Sequence, residues 1–173
     1  QRQMCIRDRI ITDLSQSAFG AKTQPLRPAA ATLALKDALL AAIPAAQVRY
    51  AHAPEVVDNV MKLVHPRGDT SLAEALACGI CDDDPEAIFV ITDGYENTPA
   101  GRFGEVLRIA RQQLQLSIPV YQITPVLAAE SRGIRKLCDD VAALPVQGPG
   151  QLATAMLKLS LENDLATAVQ LLA

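Results

Sequence analysis

An α/β fold is expected for this chain: a doubly wound, mostly parallel central sheet with helices on both faces and one antiparallel edge strand. Three observations predict it. Ala87-Ile88-Phe89-Val90-Ile91-Thr92 is a continuous apolar run, the pattern of a strand buried on both faces. Ala- and Leu-rich helical stretches alternate with such runs along the chain, as βαβ units require. Half of the 173 residues are hydrophobic, yet only 3% are aromatic and none is Trp. The core therefore has to be built from Ala, Leu, Ile and Val, side chains that suit helices packed on a sheet. The length is right for one domain with a substantial core.

Taken in order, Ile10-Ile11-Thr12 reads as the end of a buried strand. The nine residues before it, QRQMCIRDR, resemble a translated sequencing-adapter read. Arg7, Asp8 and Arg9 stand where a central strand calls for apolar residues, and burying them unpaired would cost several kcal/mol. Residues 1–9 are thus expected to be a non-native extension, and residues 10–173 a single domain. A polar loop runs from Asp13 to Arg27. Pro28 suits a helix start, and the helix Ala29–Ile43 is closed by Pro44. Gln47–His52 alternates like a half-buried strand, and a turn at Ala53-Pro54 predicts a hairpin into Val56–Leu63. After the loop Pro66-Arg67-Gly68, Asp69 or Thr70 can cap a helix from Ser71 to about Cys81. The acidic loop Asp82-Asp83-Asp84 precedes the strong strand. Then come a loop to Gly101, a helix over 102–116, a strand over 118–124, a short helix near 130–137, a strand near 141–144 and a last helix from Gln151.

Net charge is −3, without a basic cluster, so nucleic acid finds no electrostatic foothold. No apolar run approaches the ~20 residues needed to cross a bilayer. Four cysteines, irregularly spaced, make no disulfide framework. A reduced, cytoplasmic setting is the expectation. Cys78 and Cys81 stand at i and i+3 on a helix with no second pair, so core packing is expected for them and for Cys138 rather than a zinc site. His52 and His65 have no partner spacing, and no phosphate-binding glycine motif is present.

In a doubly wound sheet, loops at the carboxyl ends of the strands share a crevice. Three segments meet there: Asp13-Leu14-Ser15-Gln16-Ser17, Gly68-Asp69-Thr70 and Thr92-Asp93-Gly94. In an extended loop entry, residues 13, 15 and 17 point to one side. The donors are all oxygens, which suits a hard cation such as Mg²⁺ or Mn²⁺. Two carboxylates roughly balance a 2+ ion. Neutral hydroxyls leave the ion electrophilic, with a position open to an incoming carboxylate.

These segments resemble the von Willebrand factor A domains, which include the integrin I domain. Asp13 to Ser17 matches the D-x-S-x-S signature, Thr70 in GDTSLAEAL the isolated Thr, and Asp93 in IFVITDGYEN the strand-ending T-D-G. The resemblance spans about residues 10 to 170. It implies a metal-ion-dependent adhesion site, with hydroxyl ligands from Ser15, Ser17 and Thr70, and with Asp13 and Asp93 acting directly or through water. Gln16 and Ala18 depart from the Gly and Met that many members carry. The implied function is a divalent-metal-dependent module that binds a protein partner through an Asp or Glu carboxylate, without catalysis. The last helix is the element that would shift with affinity. Glu96 and Asn97 lie close after Asp93, so they could line the rim of the site and tune partner choice. The alternative is a metal-dependent phosphatase or hydrolase using Asp13. Against it, Ser15 stands where a second carboxylate would be expected, and the motif loops hold no Lys or Arg beyond Arg67.

Overall fold

The computed structural model describes residues 8–20, 22–23, 25–51, 55–56, 64–65, 68–83, 85–96, 99–126 and 134–156. Five strands form one all-parallel sheet: β1 (Arg9–Thr12), β2 (Gln47–Tyr50), β5 (Ile88–Ile91), β6 (Val120–Pro125) and β7 (Ala142–Val146), in the order β2-β1-β5-β6-β7. All four residues of β1 and of β5 are buried, as central strands covered on both faces must be.

Helices cover both faces. Strand alternation sends Ile10, Phe89, Ile91 and Ile123 to one side, where Leu35 and Leu39 of α1 (Arg27–Ala42) and Leu152 meet them. Ile11, Ile88, Val90 and Val120 face the other way, onto Leu72 and Leu76 of α2 (Leu72–Asp83) and onto Phe103 and Leu107 of α3 (Arg102–Gln113). Among the described residues, Phe103 heads the fully buried side chains by size. The doubly wound architecture is therefore as expected.

The antiparallel edge strand is not found among the described strands. The α1 crossover returns the chain to the amino end of the sheet, so β2 runs parallel to β1, with Ile10 opposite Val48. Of the expected hairpin partner Val56–Leu63, residues 57–63 lie outside the described residues; β3 (Glu55–Val56) pairs antiparallel with β4 (Val64–His65) in a separate two-stranded ladder.

Other boundaries also differ. β1 begins at Arg9, one residue before the expected strand, and Arg9 is only 4% exposed. Its N–H donates to the Ala87 carbonyl at 2.9 Å, and its guanidinium reaches the Gln47 side-chain oxygen at 3.1 Å. Its stem lies against Gly79 of α2. A long side chain is thus accommodated by packing its methylenes on a helix and bonding its head at the sheet edge. α2 runs on through Asp83, into the segment expected as an acidic loop. Residues 134–137 are not helical, and the rest of the short helix expected there lies outside the described residues. The last helix is described over 152–156. Of the cysteines expected in the core, Cys78 and Cys138 are half-buried and Cys81 is exposed.

Candidate cation site at the carboxyl end of the sheet

The chain winds outward in one direction from β1 to β2 and in the other from β5 to β6 and β7. The loops after β1 and β5 diverge at this switch point and leave a crevice. Asp13 follows β1 directly. Its N–H continues the parallel ladder to the Ile91 carbonyl at 3.0 Å, so the side chain is anchored by the sheet itself.

Asp13 is 5% exposed. Its carboxylate Oδ1 accepts the Ser15 N–H at 3.0 Å, and its Oδ2 accepts the Thr92 hydroxyl at 2.9 Å. Burial raises its pKa above the usual aspartate range. The bonds from Ser15 and Thr92 oppose that shift, and the neighbouring Asp93 charge adds to it.

The extended entry expected for residues 13–17 is replaced by a single 3₁₀ turn over Gln16–Phe19, with Ser15 at its N-cap position. The turn does what extension was expected to do. It brings the Ser15 and Ser17 hydroxyls to 3.0 Å of each other. Ala18 of this turn is buried against Leu14 and Ala29.

Thr70 is buried at 1% exposure, and its hydroxyl has no hydrogen-bond partner among the described residues. Capping α2 is not its role. Ser71 precedes the first residue of α2, and its hydroxyl bonds the Glu74 carboxylate at 3.3 Å, a capping-box spacing. The Gln16 N–H donates to the Gly68 carbonyl at 3.1 Å, which ties the Thr70 loop to the Asp13 loop.

Asp93 is exposed, and its Oδ1 accepts the Tyr95 N–H at 3.0 Å. Thr92, absent from the expected ligand set, both donates to Asp13 and accepts the Gly94 N–H at 3.1 Å. It is a bridge between the two acidic loops; the T-D-G spacing at a strand end was the available signal. Gly94 takes φ +85°, and a Cβ there would strike the Arg135 carbonyl. Glycine is required twice over at this position, by conformation and by space.

Asp13, Ser17, Thr92 and Asp93 line one cleft together with Thr32 of α1 and Pro125 of β6. It leaves about 40 Å³ for water-sized groups, room for an ion with one or two waters. Ser15 touches this cleft only through its bond to Ser17, and the buried Thr70 does not line it. Among the described residues, no cluster of three or more His, Cys, Asp or Glu side chains gathers. A cation here would rely on hydroxyls beside two carboxylates. The all-oxygen donor set of the cleft fits such an ion.

Glu96 is not a rim residue. It is 8% exposed, and its two oxygens accept the Ala73 N–H of α2 at 3.1 Å and the Phe103 N–H of α3 at 2.8 Å. Asn97 lies outside the described residues. On the far side of Gly94, buried Gln122 donates to the Arg135 carbonyl at 2.7 Å and accepts the Leu137 N–H at 2.9 Å. The Arg135 guanidinium rests over the Tyr95 ring at 4.4 Å. Among the described residues, no helix is long and apolar enough to cross a membrane. Comparison of the chain with family models, curated proteins and solved structures returned no match.

Proposed function

We propose that this chain is a divalent-cation-dependent protein-binding module of the von Willebrand factor A type, holding Mg²⁺ or Mn²⁺ in the cleft between the β1 and β5 loops. The observation that carries the reading is the cleft itself, which the buried Asp13 carboxylate, the Asp93 carboxylate and the Ser17 hydroxyl line together. Two neighbouring carboxylates repel, and a 2+ ion between them relieves that repulsion.

In this reading Ser15, Ser17 and Thr70 supply neutral oxygens, while Asp13 and Asp93 supply charge directly or through water. The bound ion supplies a Lewis-acidic position that accepts an Asp or Glu carboxylate of a protein partner. Thr92 and the Ser15 N–H hold the Asp13 carboxylate in one orientation. The hydrolase alternative has less support, because both Asp13 oxygens are engaged by these donors, which lowers their nucleophilicity. The free thiols at Cys78, Cys81 and Cys138 support a reducing, cytoplasmic setting.

Calorimetric titration with Mg²⁺ tests the reading, repeated with a short acidic peptide added to the loaded protein. Saturable uptake of one ion, followed by peptide binding that EDTA abolishes, is the expected result. A flat Mg²⁺ titration removes the proposal. Asp13-dependent hydrolysis of a generic phosphate ester would replace it with the enzymatic alternative.

A further inference from the structure

We propose that Glu96 is the positioning residue of the cation site, setting the separation between the loops that carry Thr70 and Asp93. The inference rests on the cation reading above. Its basis is a closed circuit of ties around the cleft. Thr92 to Asp13 joins the β5 loop to the β1 loop at 2.9 Å. Gln16 to Gly68 joins the β1 loop to the segment before α2 at 3.1 Å. Glu96 joins that segment back to the β5 loop through Ala73 at 3.1 Å, and adds α3 through Phe103 at 2.8 Å. Glu96 thus closes the circuit between the segment that carries Thr70 and the loop that carries Asp93.

The chemistry explains why a carboxylate stands there. Each helix begins with backbone N–H groups that have no partner within the helix, and each presents partial positive charge. One carboxylate has an oxygen for each of two such amides, and the bond to Phe103 has a length typical of charge-assisted bonds. A glutamine has one acceptor and would turn its NH₂ toward the other amide. Ala73 lies three residues beyond Thr70, and Glu96 three beyond Asp93, so the bridge is short on both sides. Between Asp93 and Glu96, Gly94 is pressed on the Arg135 carbonyl and the Tyr95 N–H is held by Asp93. This stretch has little slack to absorb a displacement at Glu96.

The test compares Mg²⁺ affinity by calorimetry in the wild type, Glu96→Gln and Leu107→Ala. Leu107 is a core residue of α3, 3% exposed, so its truncation lowers stability without touching the circuit. Glu96→Gln should raise the Mg²⁺ dissociation constant about 10-fold or more, the range typical for residues supporting metal ligands. Leu107→Ala should leave it within about 2-fold, as expected for a site it does not contact. Equal affinity in Glu96→Gln and wild type overturns the positioning role while leaving the cation site standing. Equal weakening in both variants also overturns it, because general destabilisation is then the cause. A wild type that takes up no Mg²⁺ overturns both readings. Hydrogen exchange in the wild type adds a measurement that needs no variant. By linkage, Mg²⁺ should slow exchange at the Ala73 and Phe103 amides, and unchanged exchange there overturns the coupling.

Discussion

Thr92 and Asp13 meet across the switch point of the sheet. Thr92 donates its hydroxyl to Asp13 Oδ2 at 2.9 Å over a sequence separation of 79 residues, and accepts the Gly94 N–H at 3.1 Å with the same oxygen. This one hydroxyl orients the most buried carboxylate of the site and fixes the start of the Asp93 loop. Thr92→Val keeps the shape and removes both bonds. It should lower stability by about 1.5–3 kcal/mol, the range for a hydrogen bond to a charged group. Urea unfolding of the metal-free protein measures this.

Thr70→Val should behave in the opposite way. The hydroxyl it removes is buried and unpartnered, so the metal-free protein should melt at the same temperature or higher. Stabilisation by Mg²⁺ should shrink. A variant destabilised without metal and normal in its Mg²⁺ response would assign Thr70 to the fold and remove it from the site.

Gly94→Ala meets a left-handed φ of +85° and the Arg135 carbonyl together. Strain of the backbone alone costs about 1–3 kcal/mol, and the contact adds to it. A fall in the urea midpoint of at least that size is expected. Gly101, also at positive φ but with open space around its Cβ position, should tolerate alanine at about 1 kcal/mol.

Burial raises the pKa of Asp8, Asp13 and Glu96 above their ordinary values of 3.8 for Asp and 4.5 for Glu. A carboxyl with a raised folded pKa holds its proton more tightly folded than unfolded. Its contribution to stability therefore falls as pH rises from the ordinary value through the folded value, and the penalty is complete above that window. Metal-free protein should accordingly melt higher under mildly acidic conditions than at neutrality. Glu105, lowered by Arg102, acts in the other sense, but that pair is solvent-exposed and weak. With Mg²⁺ present the trend should reverse, because protons compete with the ion for Asp13. Melting midpoints against pH, in EDTA and in Mg²⁺, check both signs. A metal-free midpoint that falls steadily on mild acidification contradicts the account.

The sheet was legible because its central strands are apolar on both faces; the run Ala87 to Thr92 needs no partner information to be read as a buried strand. The placement of Asp13 and Asp93 was legible for a related reason: polar residues directly after such strands sit at one end of a parallel sheet, whatever the loop conformations. The loops were not legible. Whether residues 13–17 extend or coil into a 3₁₀ turn depends on packing of Ala18 against Leu14 and Ala29, a tertiary contact. Glu96 was misjudged because its position in a loop suggests exposure. Its burial depends on two helix N-termini, 23 and 7 residues away, arriving at the same point. Thr70 read as a helix cap because spacing alone does not separate it from Ser71. The antiparallel edge strand failed for want of partner information, since two-residue strands such as β3 and β4 carry no signal for which neighbour they pair with.

The most direct test of the cation site is thermal melting in EDTA and in Mg²⁺, for the wild type and for Asp13→Asn and Asp93→Ala. A ligand specific to the folded state at 100 times its dissociation constant adds about 2.7 kcal/mol, on the order of 5–10 °C for a chain of this size. The account predicts a shift of that size for the wild type and none for either variant, with Asp13→Asn folding at least as well as the wild type in EDTA. A wild-type midpoint that is the same in EDTA and in saturating Mg²⁺, or a shift that survives both substitutions, contradicts it.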